Sequence, residues 1–338
     1  MSLWLAIVIF IGLAAVIGYA GTMLTKAADQ LADLTGFGEA LVGGILLGAI
    51  TSISGIITSV TAAYEGQPEL AFSNAVGGIA AQTVFLAIAD IAYTRANLEH
   101  ASASFTNLLQ GVLLIGMLGF VILVMASESL TVFGIHPASL ILILIYVFGT
   151  RLISKAKEHP MWEPQDTSET VEDVPDENNQ PNVNLKLLIV RFTVLAGVVG
   201  VAGYYIAQTG IIITENSGVS ASFMGALFTS VATSLPELVV SVSAVRQGAL
   251  TLAVSNIIGG NTFDILFLAF ADMAYQEDSI YHAATNSQLF IISLTILLSS
   301  VLLLGLLHRQ KYGFGKVGWE SILSILIFVI GYFLLYNM

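Results

Sequence analysis

Residues 223–275 read FMGALFTSVATSLPELVVSVSAVRQGALTLAVSNIIGGNTFDILFLAFADMAY, and this stretch decides the fold. Its 233–237 segment, TSLPE, places two hydroxyls, a proline and a carboxylate inside an otherwise apolar run. A proline removes one backbone donor and clashes with the carbonyl four residues earlier, which leaves an acceptor available. The stretch therefore predicts a membrane helix that is interrupted at a polar site.

The same stretch occurs a second time in the chain. With an offset of 182 residues, 41–93 aligns onto 223–275 without a gap, and about 20 of the 53 positions are identical. The identities are not merely chance matches between apolar residues. They include Thr51-Ser52 with Thr233-Ser234, Gly66 with Gly248, Ser73-Asn74 with Ser255-Asn256, Gly77-Gly78 with Gly259-Gly260, and Ala89-Asp90 with Ala271-Asp272. The chain therefore contains an internal duplication.

The composition is that of a membrane protein. Of the 338 residues, 56% are hydrophobic and 10% charged, with a mean hydropathy of +0.86, whereas roughly 25% of residues are charged in soluble domains. A spanning helix needs about 20 mostly apolar residues. Apolar runs predict ten helices, at about 3–23, 38–63, 69–93, 104–126, 133–153, 187–208, 219–244, 249–275, 287–307 and 316–337. We predict an all-α polytopic membrane protein with about 10 transmembrane helices, the first of them a span and not a signal peptide.

A hydrophilic segment divides the helices into five and five. Residues 154–186 combine prolines with Glu, Asp and Asn, a composition that cannot bury enough apolar surface to fold alone. We predict a first five-helix half at 1–153 with its repeat at 41–93, an acidic cytoplasmic linker at 154–186, and a second half at 187–338 with its repeat at 223–275. Because five is odd, the two five-helix repeats must be inverted relative to each other.

The positive charges indicate an orientation, since Lys and Arg near helix ends stay on the cytoplasmic side. With the linker in the cytoplasm, all eleven basic residues fall on that side: Lys26, Arg95, Arg151, Lys155, Lys157, Lys186, Arg191, Arg246, Arg309, Lys311 and Lys316. Both termini are then outside. The absence of cysteines excludes thiolate chemistry, and nothing in the charge pattern indicates nucleic-acid binding.

Two carboxylates in the second repeat stand out. Inverted repeats in transporters bind their substrate near the bilayer midplane, where interrupted helices offer carbonyls and hydroxyls. A carboxylate at the bilayer centre costs about 2.5–3.5 kcal/mol or more, so Glu237 indicates an ion or proton site, the alternative being a buried pairing role. Asp264, at the end of the GGNTFD segment 259–264, is its natural companion, and the glycines allow close helix packing.

The pair TSLPE at 233–237 and SNIIGGNTFD at 255–264 resembles the second α-repeat of the sodium/calcium exchanger superfamily, the cation/Ca²⁺ antiporters. The duplication and the five-plus-five layout extend the resemblance over most of the chain. It implies an antiporter, not an enzyme, without a cofactor, whose substrates are transported cations (Ca²⁺, Na⁺ or H⁺). It also implies cation ligands from each half, which nominates Thr233, Ser234, Glu237 and Asp264.

The first repeat departs from that pattern and resembles a degenerate copy. It has Ser54 and Gly55 where the second has proline and glutamate, and Gln82 where the family has Asn or Asp. The further candidate ligands are Thr51, Ser52, Ser54 and Gln82. With fewer carboxylates, calcium binds less tightly, fewer Na⁺ ions are exchanged, or the substrate is monovalent. A proton-coupled mode is also open, since a buried carboxylate takes up a proton more readily.

Several alternatives remain open from the sequence. A channel would use the same polar midplane but needs a continuous pore, an intramembrane hydrolase lacks a recognisable catalytic motif, and a binding protein that has lost transport is compatible with Gly55. Asp90 and Asp272 indicate either a structural role at helix ends or attraction of cations to a vestibule. The five histidines are expected at the surface. The partners expected are inorganic cations and the lipid bilayer of a prokaryotic inner membrane.

Overall fold

The computed structural model consists of α-helices and the connections between them in the part of the chain that it describes. It describes residues 1–35, 50–93, 95–102, 104–128, 130–132, 134–158, 160, 162–168, 170, 184–313 and 317–338, with the side chains of 32–35 excluded. In these ranges the β-structure is limited to one isolated bridge, Val132–Ile135. The predicted all-α membrane fold is confirmed.

The first half comprises six described helices. They are α1 (Leu3–Thr35), α2 (Ile53–Tyr64), α3 (Pro68–Ala92), the short α4 (Leu98–Ala101), α5 (Phe105–Met125) and α6 (Pro137–Glu158). The second half comprises α7 (Leu185–Ser217), α8 (Ala221–Thr233), α9 (Leu235–Gln247), α10 (Leu250–Asp264), α11 (Leu266–Ala274), α12 (Asn286–His308) and α13 (Trp319–Tyr336).

These helices account for the predicted spans within the described residues. Eight are long and apolar enough to cross a membrane, counting α10 and α11 as the single span Leu250–Ala274, and the bent pair α8–α9 makes a ninth. The tenth, expected at 38–63, is described only from residue 50, and its part at 38–49 lies outside the described residues. α6 continues to Glu158, past the expected boundary at 153, and most of the linker, at 171–183, also lies outside them.

The spans form a buried centre and an exposed periphery. The most apolar windows of α3 and of the α10–α11 span are 83% and 78% buried, whereas those of α1 and α7 are 22% buried. Large apolar side chains such as Trp4, Tyr19, Val190 and Val201 are exposed on the two peripheral helices. In a bilayer such surfaces face lipid. The two repeats therefore form the centre, and α1 and α7 pack along each other beside it.

The duplication extends beyond the two repeats and governs contacts as well as helices. α1 and α7 are both 33 residues long and start 182 residues apart. Asn74 Nδ2 donates to Ser59 Oγ, and the equivalent Asn256 Nδ2 donates to Ser241 Oγ. The offset found by sequence is thus reproduced in the hydrogen bonding of the two halves.

Asp90 and Asp272 occupy equivalent buried corners. Asp90 accepts the backbone N–H groups of Leu98 and Gly318, and Asp272 accepts those of Ile280 and His136. Each bond of one set is displaced by 182 residues from a bond of the other. Both carboxylates are fully buried, so the structure favours the structural role over attraction of cations in a vestibule.

The expectation for the histidines is wrong in two cases. His100 and His136 are each only 7% exposed. His100 Nδ1 bonds to Arg309 O, and His136 Nδ1 accepts the backbone N–H of Ala138. Both residues lie between spans, His100 in the short helix α4 and His136 directly before α6, and the hydropathy of the spans does not predict burial there.

Candidate cation site

The site begins at a break in each repeat. Ser52 (φ −91°, ψ 9°) precedes α2, and the equivalent Ser234 (φ −97°, ψ 6°) precedes α9. Both residues are in the sparsely populated bridge region of backbone space, where many functional residues are found. At the second break the chain bends by 48°, and the new helix has Pro236 as its second residue and Glu237 in its first turn. The predicted interruption is confirmed, and it occurs in both halves.

One hydrogen-bond network joins the two breaks. Ser52 Oγ donates to Asp264 Oδ1 at 2.6 Å, and Gln82 Nε2 donates to Asp264 Oδ2 at 2.7 Å. Gln82 Nε2 also lies 3.2 Å from Ser234 Oγ. All four side chains are buried. Four of the eight candidate ligands, two from each half, therefore meet at one point.

Glu237 lies beside this network. Its carboxylate is within electrostatic range of Asp264, its side chain is 3% exposed, and Oε2 has no hydrogen-bond partner. Gln82 Oε1 is also buried without a partner. Among the described residues, no lysine or arginine acts on either carboxylate. The site thus offers buried oxygen atoms and negative charge with no basic residue to balance it.

The remaining candidates lie at the same two breaks. Ser54 Oγ donates to Thr233 O at 3.1 Å, which links the breaks a second time. The Thr233 hydroxyl donates to Ser230 O within its own helix, and Thr51 is buried one residue before the break at Ser52.

Gly78 and Gly260 of the two repeats face the site. A Cβ added at Gly78 would lie 3.6 Å from Ser234 Oγ, and one added at Gly260 would lie 3.4 Å from Gln82 Oε1. The two glycines therefore border the polar network and contribute no hydroxyl to it.

The position of the missing first-repeat glutamate is filled by an aromatic ring. A Cβ on Gly55 would lie 2.5 Å from Phe267 Cε2 and 3.0 Å from Cζ. Phe267 is buried and comes from α11 of the opposite half. In the sequence, Phe267 matches Phe85 of the first repeat, so the phenylalanine itself is not unusual. The two repeats are thus lopsided in shape as well as in charge.

Asn74 belongs to the site region but was not among the candidates. Its Nδ2 donates to Gly55 O at 3.3 Å, and its Oδ1 accepts from Thr229 Oγ1 at 2.7 Å. Thr229 ends the π-helical stretch Met224–Thr229, and such stretches are frequent at functional sites. Asn74 is identical to Asn256 of the second repeat, and this identity could have indicated the position.

The two peripheral helices cross the breaks of the opposite halves at glycines. A Cβ on Gly21 of α1 would lie 2.4 Å from Pro236 Cγ, and one on the equivalent Gly203 of α7 would lie 2.7 Å from Ser54 O. Gly203 O also accepts from Thr58 Oγ1 at 2.9 Å. At these two crossings the peripheral helices approach the breaks closely because no side chain stands between them.

Fold and site together define a membrane transporter of the inverted-repeat class, with polar breaks from both halves meeting between them. Comparison with known proteins agrees: the profile of the family described as sodium/calcium exchanger protein matches residues 5–154 and 187–337. The chain belongs to this family.

Individual relatives resemble different parts of the chain. Sodium/calcium exchanger MaX1 of Methanosarcina acetivorans is 32% identical over 126 residues, which are 37% of this chain and about a third (34%) of that relative. Inner membrane protein YrbG of Escherichia coli is 26% identical over 77% of this chain and 76% of its own. The crystal structure of the H⁺/Ca²⁺ exchanger CAX has the same fold, with a TM-score of 0.72 at 13% identity over 98% of this chain and 85% of its own.

Proposed function

We propose that this protein is a secondary antiporter that exchanges Ca²⁺, or a related cation, for Na⁺ or H⁺ by alternating access, at a site centred on Glu237 and Asp264. One observation carries the proposal: Asp264 is held by Ser52 and Gln82 of the opposite half, and Glu237 beside it has a buried oxygen without a partner. Two buried carboxylates without a basic partner are costly unless a cation or protons neutralise them.

The donor atoms favour a hard cation. Carboxylates, amide oxygens and hydroxyls suit Ca²⁺, which takes six to eight oxygens at roughly 2.3–2.6 Å. Two carboxylates can neutralise one divalent ion, and Gln82 Oε1 offers an uncharged ligand. The names of MaX1 and CAX support calcium as the cargo and support either Na⁺ or H⁺ as the ion moved in exchange.

The second candidate is a monovalent cation/proton antiporter, or a divergent member of the family that does not move calcium. The ring of Phe267 against Gly55 favours it, because this contact leaves the first half without a carboxylate at the site. Affinity for Ca²⁺ depends on the number of charged ligands. The two carboxylates present here can balance less cation charge than a site to which the first half adds a further carboxylate.

The packing of α1 and α7 suggests how access alternates. These helices pack along each other and contact the breaks through Gly21 and Gly203, while the two repeats are largely buried. Sliding of the α1–α7 pair across the breaks would expose the site to one side and then to the other. The central repeats would remain in place.

The protein is an integral membrane protein, and we assign the linker to the cytoplasm and both termini to the outside. The distribution of the eleven basic residues supports this orientation. The similarity to the inner membrane protein YrbG supports a prokaryotic inner membrane.

The decisive experiment is uptake of ⁴⁵Ca²⁺ into proteoliposomes under an outward Na⁺ or H⁺ gradient, for the wild type, Glu237→Gln and the exposed control Glu215→Gln. Gradient-dependent uptake that is lost in Glu237→Gln and retained in Glu215→Gln is the expected result, and the effective gradient identifies the coupling ion. A wild type that moves no calcium under either gradient contradicts the calcium assignment. Uptake of Na⁺ coupled to protons in the same vesicles would then establish the second candidate.

A further inference from the structure

A second group of buried carboxylates lies at the end of the molecule where the linker begins, which we call the linker face. Asp90 of α3, Glu99 of α4 and Glu320 of α13 are each at most 1% exposed. Asn97 lies between the two glutamates, because its Oδ1 accepts the Glu99 N–H and its Nδ2 donates to Glu320 Oε1. Asp90 and the Glu320 carboxyl group both act on the Glu99 carboxyl group. The group joins the two halves, because Glu320 belongs to the second and the others to the first.

The three carboxylates differ in their hydrogen-bond partners. Both oxygens of Asp90 accept backbone N–H groups, and Glu320 Oε1 accepts from Asn97 Nδ2. Glu99 Oε2 and Glu320 Oε2 are buried and have no donor. Two carboxylates that face each other without a donor repel and cannot both remain charged. The Glu99–Glu320 pair therefore needs one bound proton, which would supply a hydrogen bond between the two carboxyl groups.

The equivalent corner of the second half has no such pair. There Asp272 is also fully bonded, and its partners include the hydroxyls of Ser139 and Ser279. The positions equivalent to Glu99 and Glu320 are occupied by Tyr281 and Ala138, and Tyr281 bonds to Ser139 through its hydroxyl. The corner therefore folds without two extra carboxylates, and the pair on the linker face is an addition to the shared structure.

Burial and neighbouring negative charge are the main influences on Glu99 of this pair. In the described part of the chain, the charged and histidine side chains on the packed elements and their connections are Glu69 and Asp90 of α3, Arg95 before α4, His100 of α4, Asp264 at the far end of α10, His308 of α12, Arg309 and Lys311 after it, and Asp166 of the linker. Arg309 donates to Gln165 O and His100 O, and Lys311 lies over the ring of Tyr312. Burial, with the negative charges of Asp90 and Glu320, raises the pKa of Glu99 well above its usual value.

We propose that Glu99 and Glu320 form a proton-binding site, separate from the cation site, in which one shared proton ties the two halves together at the linker face. The bound proton lets one carboxyl donate to the other. Its loss leaves two buried negative charges facing each other and loosens the junction.

The linker itself lies against this junction. His100 Nε2 bonds to Thr167 Oγ1 at 3.0 Å, and Arg309 Nη2 donates to Thr170 Oγ1 at 3.3 Å. Trp162 packs on Phe105 with ring centroids 6.3 Å apart. Protons in the compartment on the linker side therefore have a binding site directly beneath the segment that connects the halves.

The sign of the pH effect follows from linkage. A glutamate with a raised pKa in the folded state binds its proton more tightly there than in the unfolded chain, so its stabilising effect is complete below the unfolded value and is lost as pH rises through the folded one. Glutamine keeps the shape, donates a hydrogen bond and has no proton to lose. Glu99→Gln and Glu320→Gln should therefore mimic the protonated pair at every pH.

The test is the thermal unfolding midpoint of the detergent-solubilised protein from about pH 5 to pH 8, which does not depend on transport. We expect the wild-type Tm to fall with rising pH more than that of either variant, so that at pH 8 each variant melts about 2 °C or more above the wild type, while Glu215→Gln follows the wild type. If both variants fall in parallel with the wild type, the proposal is overturned. If added Na⁺ or Ca²⁺ raises the wild-type Tm at pH 8 and Glu99→Gln abolishes that rise, the ligand is a metal cation and the proposal is again overturned. If neither variant folds, infrared spectroscopy of the Glu237→Gln/Asp264→Asn variant is the test. The C=O band of a protonated carboxyl must then be present at neutral pH and disappear at alkaline pH, and its absence at neutral pH overturns the proposal.

Discussion

Ser52 and Asp264 lie in opposite halves of the chain, and the Ser52 hydroxyl donates to the Asp264 carboxylate at 2.6 Å. The break of the first repeat thereby holds the carboxylate of Asp264, which belongs to the second repeat. A hydrogen bond to a charged group contributes about 1.5–3 kcal/mol. Through this bond the first half, which contributes no carboxylate to the site, can influence cation binding.

We expect Ser52→Ala to weaken cation binding about tenfold or more, because Asp264 loses its donor or the cation loses a hydroxyl ligand. The concentration dependence of uptake in proteoliposomes measures this effect. Ser293→Ala is the matched control, since Ser293 is exposed and its hydroxyl donates to Leu289 O within its own helix. Equal affinities in the two variants would show that Ser52 has no role at the site.

The contact between Gly55 and Phe267 predicts that a carboxylate introduced at position 55 can be accommodated at the site only when the ring is removed. Gly55→Glu alone should fold poorly, because its Cβ would lie 2.5 Å from the ring. Gly55→Glu combined with Phe267→Ala should fold and bind divalent cations more tightly relative to monovalent ones, since one more carboxylate faces the site. Calcium affinity by isothermal titration calorimetry measures the change.

Phe267→Ala alone is the reference for that double variant, and Phe85→Ala is the control at the equivalent position of the first repeat. We expect each single truncation to lower stability through the cavity it leaves, by about 3–5 kcal/mol. A double variant no tighter for calcium than Phe267→Ala would contradict the assignment of position 55 to the site.

The crossing of α7 over the first break predicts a block of transport by one added methyl group. In Gly203→Ala the new Cβ would lie 2.7 Å from Ser54 O, a backbone atom that cannot move aside as a side chain can. We expect the exchange rate to fall at least tenfold, with folded protein still obtained. Gly197→Ala, on the same helix with open space around it, should exchange at the wild-type rate. Equal rates would show that sliding at this crossing is not needed.

The orientation can be tested without background labelling, because the chain has no cysteine. Glu163→Cys, in the exposed part of the linker, should react with a membrane-impermeant maleimide only after cells are opened. Asn337→Cys, near the exposed C-terminal end, should react in intact cells. Both labelling results are required to support the assigned orientation, and the reverse pattern would show that the topology is inverted.

Much of the fold could be predicted from the sequence, because hydropathy sets the length of spans and the duplication sets their arrangement. The breaks at Ser52 and Ser234 and the meeting of Gln82 with Asp264 followed from repeated motifs with a fixed offset. These features depend on local sequence and on the symmetry that the offset defines.

The features that sequence analysis missed depend on departures from that symmetry. Phe267 is identical to its counterpart Phe85, so nothing in the sequence shows that it fills the space at Gly55. Glu99 lies in a polar connection and Glu320 at the start of a helix. Their equivalents, Tyr281 and Ala138, are not acidic, so the internal alignment does not predict that the two glutamates meet. Long-range pairs of this kind are fixed by tertiary packing, which an internal alignment does not contain.

The unequal repeats bear on where the empty carrier rests. If both halves were identical, exchanging their conformations would convert the state open to one side into the state open to the other, and the two states would have equal free energy. The ring of Phe267 against Gly55 has no counterpart across the offset, since the position equivalent to Gly55 is Glu237. That degeneracy is therefore removed, and the unloaded protein should spend unequal times facing the two compartments.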